Sequence, residues 1–454
     1  MRALDERRTR LGAHQRPAGV PCCRRRARIV SATAAAVAVL WFGGVPAVAG
    51  DGEATRFGGH VKLQYTYTDF RPDDFAAGHG SDPAHDGAAE VRLKLDRRHG
   101  RWRFEAHGEW LAVGGDALAA RRAAAALGLL AAGTASGLPD DRRRLFDLSE
   151  TLSDRPRRAA VARLDRLALG YVGARSSLQF GRQAVSWGNG LVFHPLDFVN
   201  PFSPVAIDKE YKTGDDMLYG QWLLGEAGGD LEAIVVPRRD PVTRAIASNQ
   251  TTYALKWRER RGGFDLDLLA ARHFGEDVLG LGTARSLGDG GAVWRLDAVY
   301  TGLDTGGSAF SFVTNLDHAW TAFGRNVYGY VEYFRNGVGQ GDRSRYLEPS
   351  PALAQRLARG ECYTLARHYA AFGLRIELDP LVQLLAGRIH NLDDGSRYTQ
   401  LRLSYDWRQD WRLLAGLDWP AGRRGTEFGG LAVAGEGTYL APGRAVYLRA
   451  AYYF

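Results

Sequence analysis

The feature that most constrains this chain is a side-chain alternation that keeps one face of successive segments apolar and the other charged. Val61, Leu63, Tyr65 and Tyr67 oppose His60, Lys62, Gln64 and Thr66, while Val91, Leu93 and Leu95 oppose Glu90, Arg92, Lys94 and Asp96. Trp102, Phe104, Ala106 and Trp110 alternate with Arg103, Glu105, His107 and Glu109, and Leu401, Leu403, Tyr405 and Trp407 with Gln400, Arg402, Ser404 and Asp406. A period of two marks β-strands whose faces meet unlike surroundings. Strands of soluble sandwiches run to about five or six residues, whereas many runs here approach the roughly ten that an oblique bilayer crossing requires. Lipid offers backbone groups no partner, so the arrangement that fits is a closed barrel with apolar side chains outward and charged ones inward.

Strand patterns fall near 57–67, 88–97, 101–112, 161–172, 176–187, 216–225, 230–238, 250–259, 263–273, 277–287, 292–301, 308–317, 327–335, 366–377, 381–391, 397–407, 410–419 and 444–454. That is about eighteen, an even number as bacterial barrels require. The segments at 277–287 and 308–317 are weak, and without them the count falls to sixteen. Tight links such as 98–100, 173–175, 260–262 and 408–409 follow alternate strands, and the intervening connections are mostly longer. The fold class expected is therefore all-β, a transmembrane antiparallel barrel of 16–18 strands with long external loops and one helical insertion. Composition agrees, with 56 Gly, 19 Tyr, 19 Phe and 11 Trp. Trp102, Trp110, Tyr171, Trp187, Trp411 and Trp419 are candidates for the interfacial girdles.

Residues 1–49 read as a signal peptide. Arg24, Arg25, Arg26 and Arg28 precede an apolar run from Ile29 to Val45, and Ala47-Val48-Ala49 supplies a small-x-small cleavage pattern. An N-terminal anchor is the alternative. The segment carries nine Arg, and beyond it 50 basic residues face 49 acidic ones, which removes the case for a nucleic-acid partner. Cys22 and Cys23 precede the apolar run, leaving Cys362 alone in the barrel, 50–454, so neither an intramolecular disulfide nor a CxxC metal cluster can form. No catalytic, cofactor-binding or metal site is expected, and His60, His107, His273, His368 and His390 read as polar residues of the lumen rather than as an enzyme's catalytic set.

Two insertions stand out. The 113–160 connection holds the Ala/Leu-rich stretch 117–132, helical by propensity, and the basic run Arg142-Arg143-Arg144. It decorates an external loop or enters the lumen as a gate. The second, 188–215, is the candidate constriction loop. Asp208, Lys209, Glu210, Lys212, Asp215 and Asp216 place both signs of charge close together between Gly- and Pro-rich flanks. Folded inward, they would set a transverse field across a water-filled lumen; folded outward, they would be a solvated external loop. Arg182 reads as a buried side chain bonding backbone carbonyls or Asp197.

Gly181-Arg182-Gln183 followed by Ser186-Trp187-Gly188 resembles the GRQ-x-x-SWG signature of Gram-negative outer-membrane porin-like barrels, a group that includes alginate-export-type proteins. Tyr452-Tyr453-Phe454 looks like their assembly signal, with Tyr452 and Phe454 carrying it. The resemblance implies the bacterial outer membrane, lipid and lipopolysaccharide around the barrel, the barrel-assembly machinery as a partner, and possible oligomers. It also implies a channel for passive diffusion of small polar or charged solutes, with a non-channel barrel for export, lipid transport or scaffolding as the alternative. Alginate itself does not carry over, because the dense basic lumen of a polyanion exporter is missing. Arg92, Glu105, Arg295, Asp297, Glu332, Arg375 and Glu377 interleave both signs on inward faces, which predicts weak ion preference.

Overall fold

A computed structural model describes residues 49–50, 53–79, 82–130, 136–225, 228–288, 291–433 and 437–454. The expected signal peptide lies outside the described residues but for its last position. Eighteen strands form the wall: β1 Glu53–Asp69, β2 Ala84–His99, β3 Trp102–Gly115, β4 Arg158–Val172, β5 Ser176–Gln183, β6 Asp215–Leu223, β7 Asp230–Val236, β8 Thr252–Arg261, β9 Phe264–His273, β10 Glu276–Leu287, β11 Ala292–Gly302, β12 Ser308–Ala322, β13 Arg325–Arg335, β14 His368–Asp379, β15 Val382–Asn391, β16 Arg397–Arg408, β17 Trp411–Ala421 and β18 Arg444–Tyr453. Each pairs antiparallel with its neighbours, and β18 closes onto β1 from His60↔Tyr453 to Asp69↔Arg444. Both weak segments are strands.

The alternation settles which face is which. Phe57, Leu63, Tyr65, Leu169, Leu279, Phe372 and Leu448 point outward and are exposed, while His60, Lys62, Arg92 and Asp297 on inward positions are buried. An apolar outer belt on a closed barrel defines a membrane-spanning wall, since charged side chains at the bilayer midplane cost roughly 2–4 kcal/mol. Trp102, Tyr171, Trp411 and Trp419 are exposed as girdle residues, and Trp102 meets Tyr171 edge to face at 5.2 Å. Trp187 departs from that expectation: it is buried inside the barrel.

The 113–160 connection holds more than a helix. The α-helix spans Asp116–Ala126, shorter than 117–132, and starts directly from β3 through Gly115 at φ 139°, where a Cβ would meet the His85 carbonyl oxygen at 2.2 Å. Farther on, Ser149–Arg155 forms an unforeseen short strand against β4. It takes the edge of β4 that β5 leaves vacant. β5 ends at Gln183, not 187, because Gly181 turns the chain at φ 125°, where any Cβ would lie 2.1 Å from the Leu167 oxygen. The residues freed from the wall enter the lumen.

Candidate functional site: the lumen and its inner loop

The segment 184–214 joins β5 to β6 by travelling around the inner wall. Leaving β5, Val185, Trp187, Leu196 and Val199 pack on Ile234, Val236, Ala254, Leu269, Val278 and Val299, inward-facing residues of β7 to β11. Trp187 Nε1 donates to Glu232 at 2.8 Å. Two wall carboxylates then pin the first turn. Asp297 accepts from the Asn189 backbone N–H at 2.6 Å and its Nδ2 at 2.8 Å, and Glu332 accepts from the N–H groups of Leu191, Val192 and Phe193 at 2.6, 3.0 and 2.8 Å. Gly190 is needed there, since a Cβ would lie 1.8 Å from the Phe193 oxygen. Val192 and Phe193 pack onto Val313, Phe334, Tyr369 and Ile389.

The loop continues past β16, where Gln400 and Arg402 donate to the carbonyls of Val205 and Ala206 at 3.2 and 3.0 Å. At the β18–β1 seam, Asp208 accepts from Lys62 and Arg449, each at 2.7 Å. Glu210 also meets Lys62 at 2.7 Å and accepts from the Tyr453 hydroxyl at 3.0 Å. Tyr211 lies under the Arg92 guanidinium, 4.4 Å from the ring centre, and takes a hydrogen bond from Lys94 at 2.9 Å. The return to β6 is held by Arg166, which donates to the Lys212 carbonyl, and by Asp165, which accepts from Gly214 N–H at 3.2 Å. The loop thus touches wall strands on every side of the lumen.

The candidate residues divide into two groups. Arg182 is fully buried and ties together Asp141, Asp216 and the carbonyls of Leu164 and Phe146. Its carbonyl bonding follows expectation, but its acidic partners are Asp141 and Asp216 rather than Asp197. Asp197 pairs with Lys212, whose ammonium also donates to Val185 O at 2.6 Å, and Asp215 pairs with Arg238 at 2.8 Å. Asp197 and Lys212 therefore clip the loop to itself, and Arg182 and Asp216 tie the ends of β5 and β6, which the loop joins, to Asp141 of the β3–β4 connection; all four are buried. Asp208, Lys209 and Glu210 remain accessible.

Electrostatics separates Asp208 from Lys209. Burial works to raise Asp208, yet the hydrogen bond from Lys62 prevails and holds the carboxyl below its ordinary range. Lys209 is exposed and donates to Pro204 O at 3.2 Å, but it is enclosed by protein at a larger radius. That enclosure, with Arg402 nearby, lowers its ammonium to about 8.

Sequence reasoning missed the joint beside β2 to β4. Arg92 and Arg163 share Glu109 and Asp165, and Arg166 adds a third cation at 2.7 Å from Asp165. Arg92 and Glu109 stood on inward positions of the alternation, which was the available signal. Asp165 and Arg166 are adjacent residues, and both turn inward only because the β3–β4 register shifts at His107/Gly108. Above the loop lies a cavity of about 1370 Å³, bounded by Arg92, Glu109, Tyr211, Asp215, Arg238 and the external segments around Arg143 and Arg359.

The sequence matches no family profile and no curated protein. Solved structures share the architecture. OccK5 (OpdH) of Pseudomonas aeruginosa aligns with a TM-score of 0.50 at 10% identity, covering 88% of this chain and 98% of that one. OccAB1 of Acinetobacter baumannii gives 0.49 at 7% identity over 88% and 96%. A BenF-like porin from Pseudomonas fluorescens Pf-5 gives 0.46 at 9% over 88% and 98%. The fold is that of an eighteen-stranded, porin-like outer-membrane β-barrel.

Proposed function

We propose that this protein is an outer-membrane channel for passive diffusion of small polar or charged solutes, with the loop 184–214 as its constriction. The observation that carries the reading is the loop's course: it lines the lumen all the way round, bonded to inward residues of β11, β13, β16, β18, β1 and β4. A barrel of this strand number is wide enough to hold water and needs something to narrow it. Asp208, Lys209 and Glu210 then form the accessible charged rim, and Arg182, Asp197, Lys212, Asp215 and Asp216 position it. The GRQ-x-x-SWG motif is the fold-back signature, because Gly181 turns the strand, Arg182 anchors the turn and Trp187 seats the loop on the wall. The surrounding partners in this reading are outer-membrane lipid, lipopolysaccharide and the barrel-assembly machinery, the last recognising β18 through Tyr452 and Phe454.

Planar-bilayer recording tests the reading. Stepwise, ohmic channels are expected, and deleting 205–214 should raise single-channel conductance while heat-modifiable gel migration reports an intact barrel. Insertion without conduction would overturn the channel and favour export, lipid handling or a scaffold. Unchanged conductance on deletion would overturn the constriction alone.

A further inference from the structure

On the inner face near the Gly100 turn, Asp96 on β2 stands directly opposite Glu105 on β3, and His107 shares that face. Like charges directly opposed destabilise a strand pair. Among the described residues no Arg or Lys makes an ion-pair contact with either carboxylate. Their shared partner is His107, whose Nε2 lies 3.1 Å from Asp96 Oδ1 and 3.6 Å from Glu105 Oε1. The three donor atoms all lie within 4.8 Å of one another.

We propose that Asp96, Glu105 and His107 bind one divalent first-row transition cation, of which Zn²⁺ is the natural probe, at the short-turn mouth of the lumen. Donors held roughly 2.0–2.2 Å from such an ion are separated from each other by roughly 3–3.6 Å, which two of the distances here already meet. The donor set selects the metal class. One imidazole and two carboxylates suit Zn²⁺ and its neighbours, whereas Mg²⁺ and Ca²⁺ take oxygen donors. All three side chains project from paired strands rather than from a loop, so little ordering remains to be done on binding. His107 is buried, with 8% of its side chain exposed, while Asp96 and Glu105 are 48% and 30% exposed, so an ion enters from lumen water and water completes its shell. Arg56, opposite Asp96 across the β1–β2 pair, and Arg166, opposite His107 across the β3–β4 pair, stand nearby in the register without an ion-pair contact to either carboxylate. The proposal does not rest on conduction.

The test is titration of the refolded, detergent-solubilised barrel with Zn²⁺ at neutral pH, read by calorimetry and by the thermal midpoint. One Zn²⁺ per chain with micromolar affinity is expected. His107→Ala and Glu105→Gln should each weaken binding by at least about tenfold and abolish the Zn²⁺-dependent rise in midpoint, while His60→Ala leaves both unchanged. Glu105→Gln relieves the opposed charges, so it keeps the test valid should His107→Ala fold poorly. Absence of binding by the wild-type chain, or equal binding by Glu105→Gln, would overturn the site.

Discussion

The two arcs of wall that hold the inner loop differ in how much of the hold is ionic and how much is apolar packing. Along β2 to β6 the inner face is a network of ions, Arg92, Glu109, Arg163, Asp165, Arg166, Arg182 and Asp216, joined by Asp141 from the β3–β4 connection. Along β7 to β11 an apolar strip of Ile234, Val236, Leu269, Val278 and Val299 is covered by Trp187, Leu196 and Val199, and it is flanked by Glu232 and Asp297, which accept hydrogen bonds from the loop. The first arc holds the loop by direction and charge, the second by an apolar seat with a carboxylate on either side of it. A wall facing water needs polar inward residues, but where a packed loop covers it the inward positions can be apolar and behave as a small core. Space is made for that packing by Gly280, where a Cβ would meet Leu196 Cδ2 at 2.4 Å, and by Gly282, where it would meet Asn189 Nδ2 at 2.9 Å.

The sharpest way to break the comparison is Asp165→Ala. It strands Arg92, Arg163 and Arg166 without their shared carboxylate, and breaking a buried pair costs about 3–5 kcal/mol. A large fall in the heat-modifiability midpoint is expected, and a midpoint at the wild-type value would show that water already solvates this arc.

On the apolar arc, Gly280→Val should act through shape alone. Overpacking costs about 1–3 kcal/mol and pushes Leu196 off the wall. Conductance should fall, because the loop is driven toward the lumen axis, while the barrel stays folded, a milder outcome than Asp165→Ala.

A third measurement follows Lys209, which titrates near 8. It is charged below that pH and neutral above it, so rising pH removes one positive charge from the rim, and anion preference should decline across this interval. Lys209→Arg should move that step beyond the accessible range and Lys209→Met should delete it. A step that survives in both variants would assign it to another group.

The smallest effect concerns selectivity as a whole. Around the cavity Arg92 and Arg163 meet Glu109, Arg238 meets Asp215 and Arg359 meets Glu361, so most charge is cancelled locally. Reversal potentials in a salt gradient should be shallow, and a strongly selective pore would mean that Asp208, Lys209 and Glu210 set the field unaided.

A second titrating group lies outside the membrane. Burial pushes Glu427 up to about 7 against hydrogen bonds from Tyr369, Leu365 and Asn391. Its folded value exceeds its unfolded one, so its contribution to stability is full at acid pH and is lost as pH rises through about 7. Hydrogen exchange at Leu365 should quicken over that interval in the wild type and not in Glu427→Gln.

Every wall strand was legible because alternation is a local property that the bilayer imposes on each crossing separately. Even the weak 277–287 pattern has a reason: Gly280 and Gly282 are small where the loop presses on β10. Ser149–Arg155 escaped notice because SETLSDR carries no apolar face; its place follows from the early end of β5. Charges clustered at 208–216 lie in and just beyond the segment that runs along the inner wall, yet their spacing could not separate the accessible Asp208, Lys209 and Glu210 from the buried Lys212 or from Asp215 and Asp216 on β6.

By itself, then, the sequence determined the barrel, bounded its strand count at sixteen to eighteen and marked the long connection before β6, since period, turn residues and strand length are written along the chain. The tertiary structure alone decided which inward charges meet, that β7 to β11 serve as a core, and that Asp96, Glu105 and His107 converge. These depend on register and on contacts between residues far apart in sequence. A shift such as that at His107/Gly108 turns both Asp165 and Arg166 inward, which no local pattern encodes.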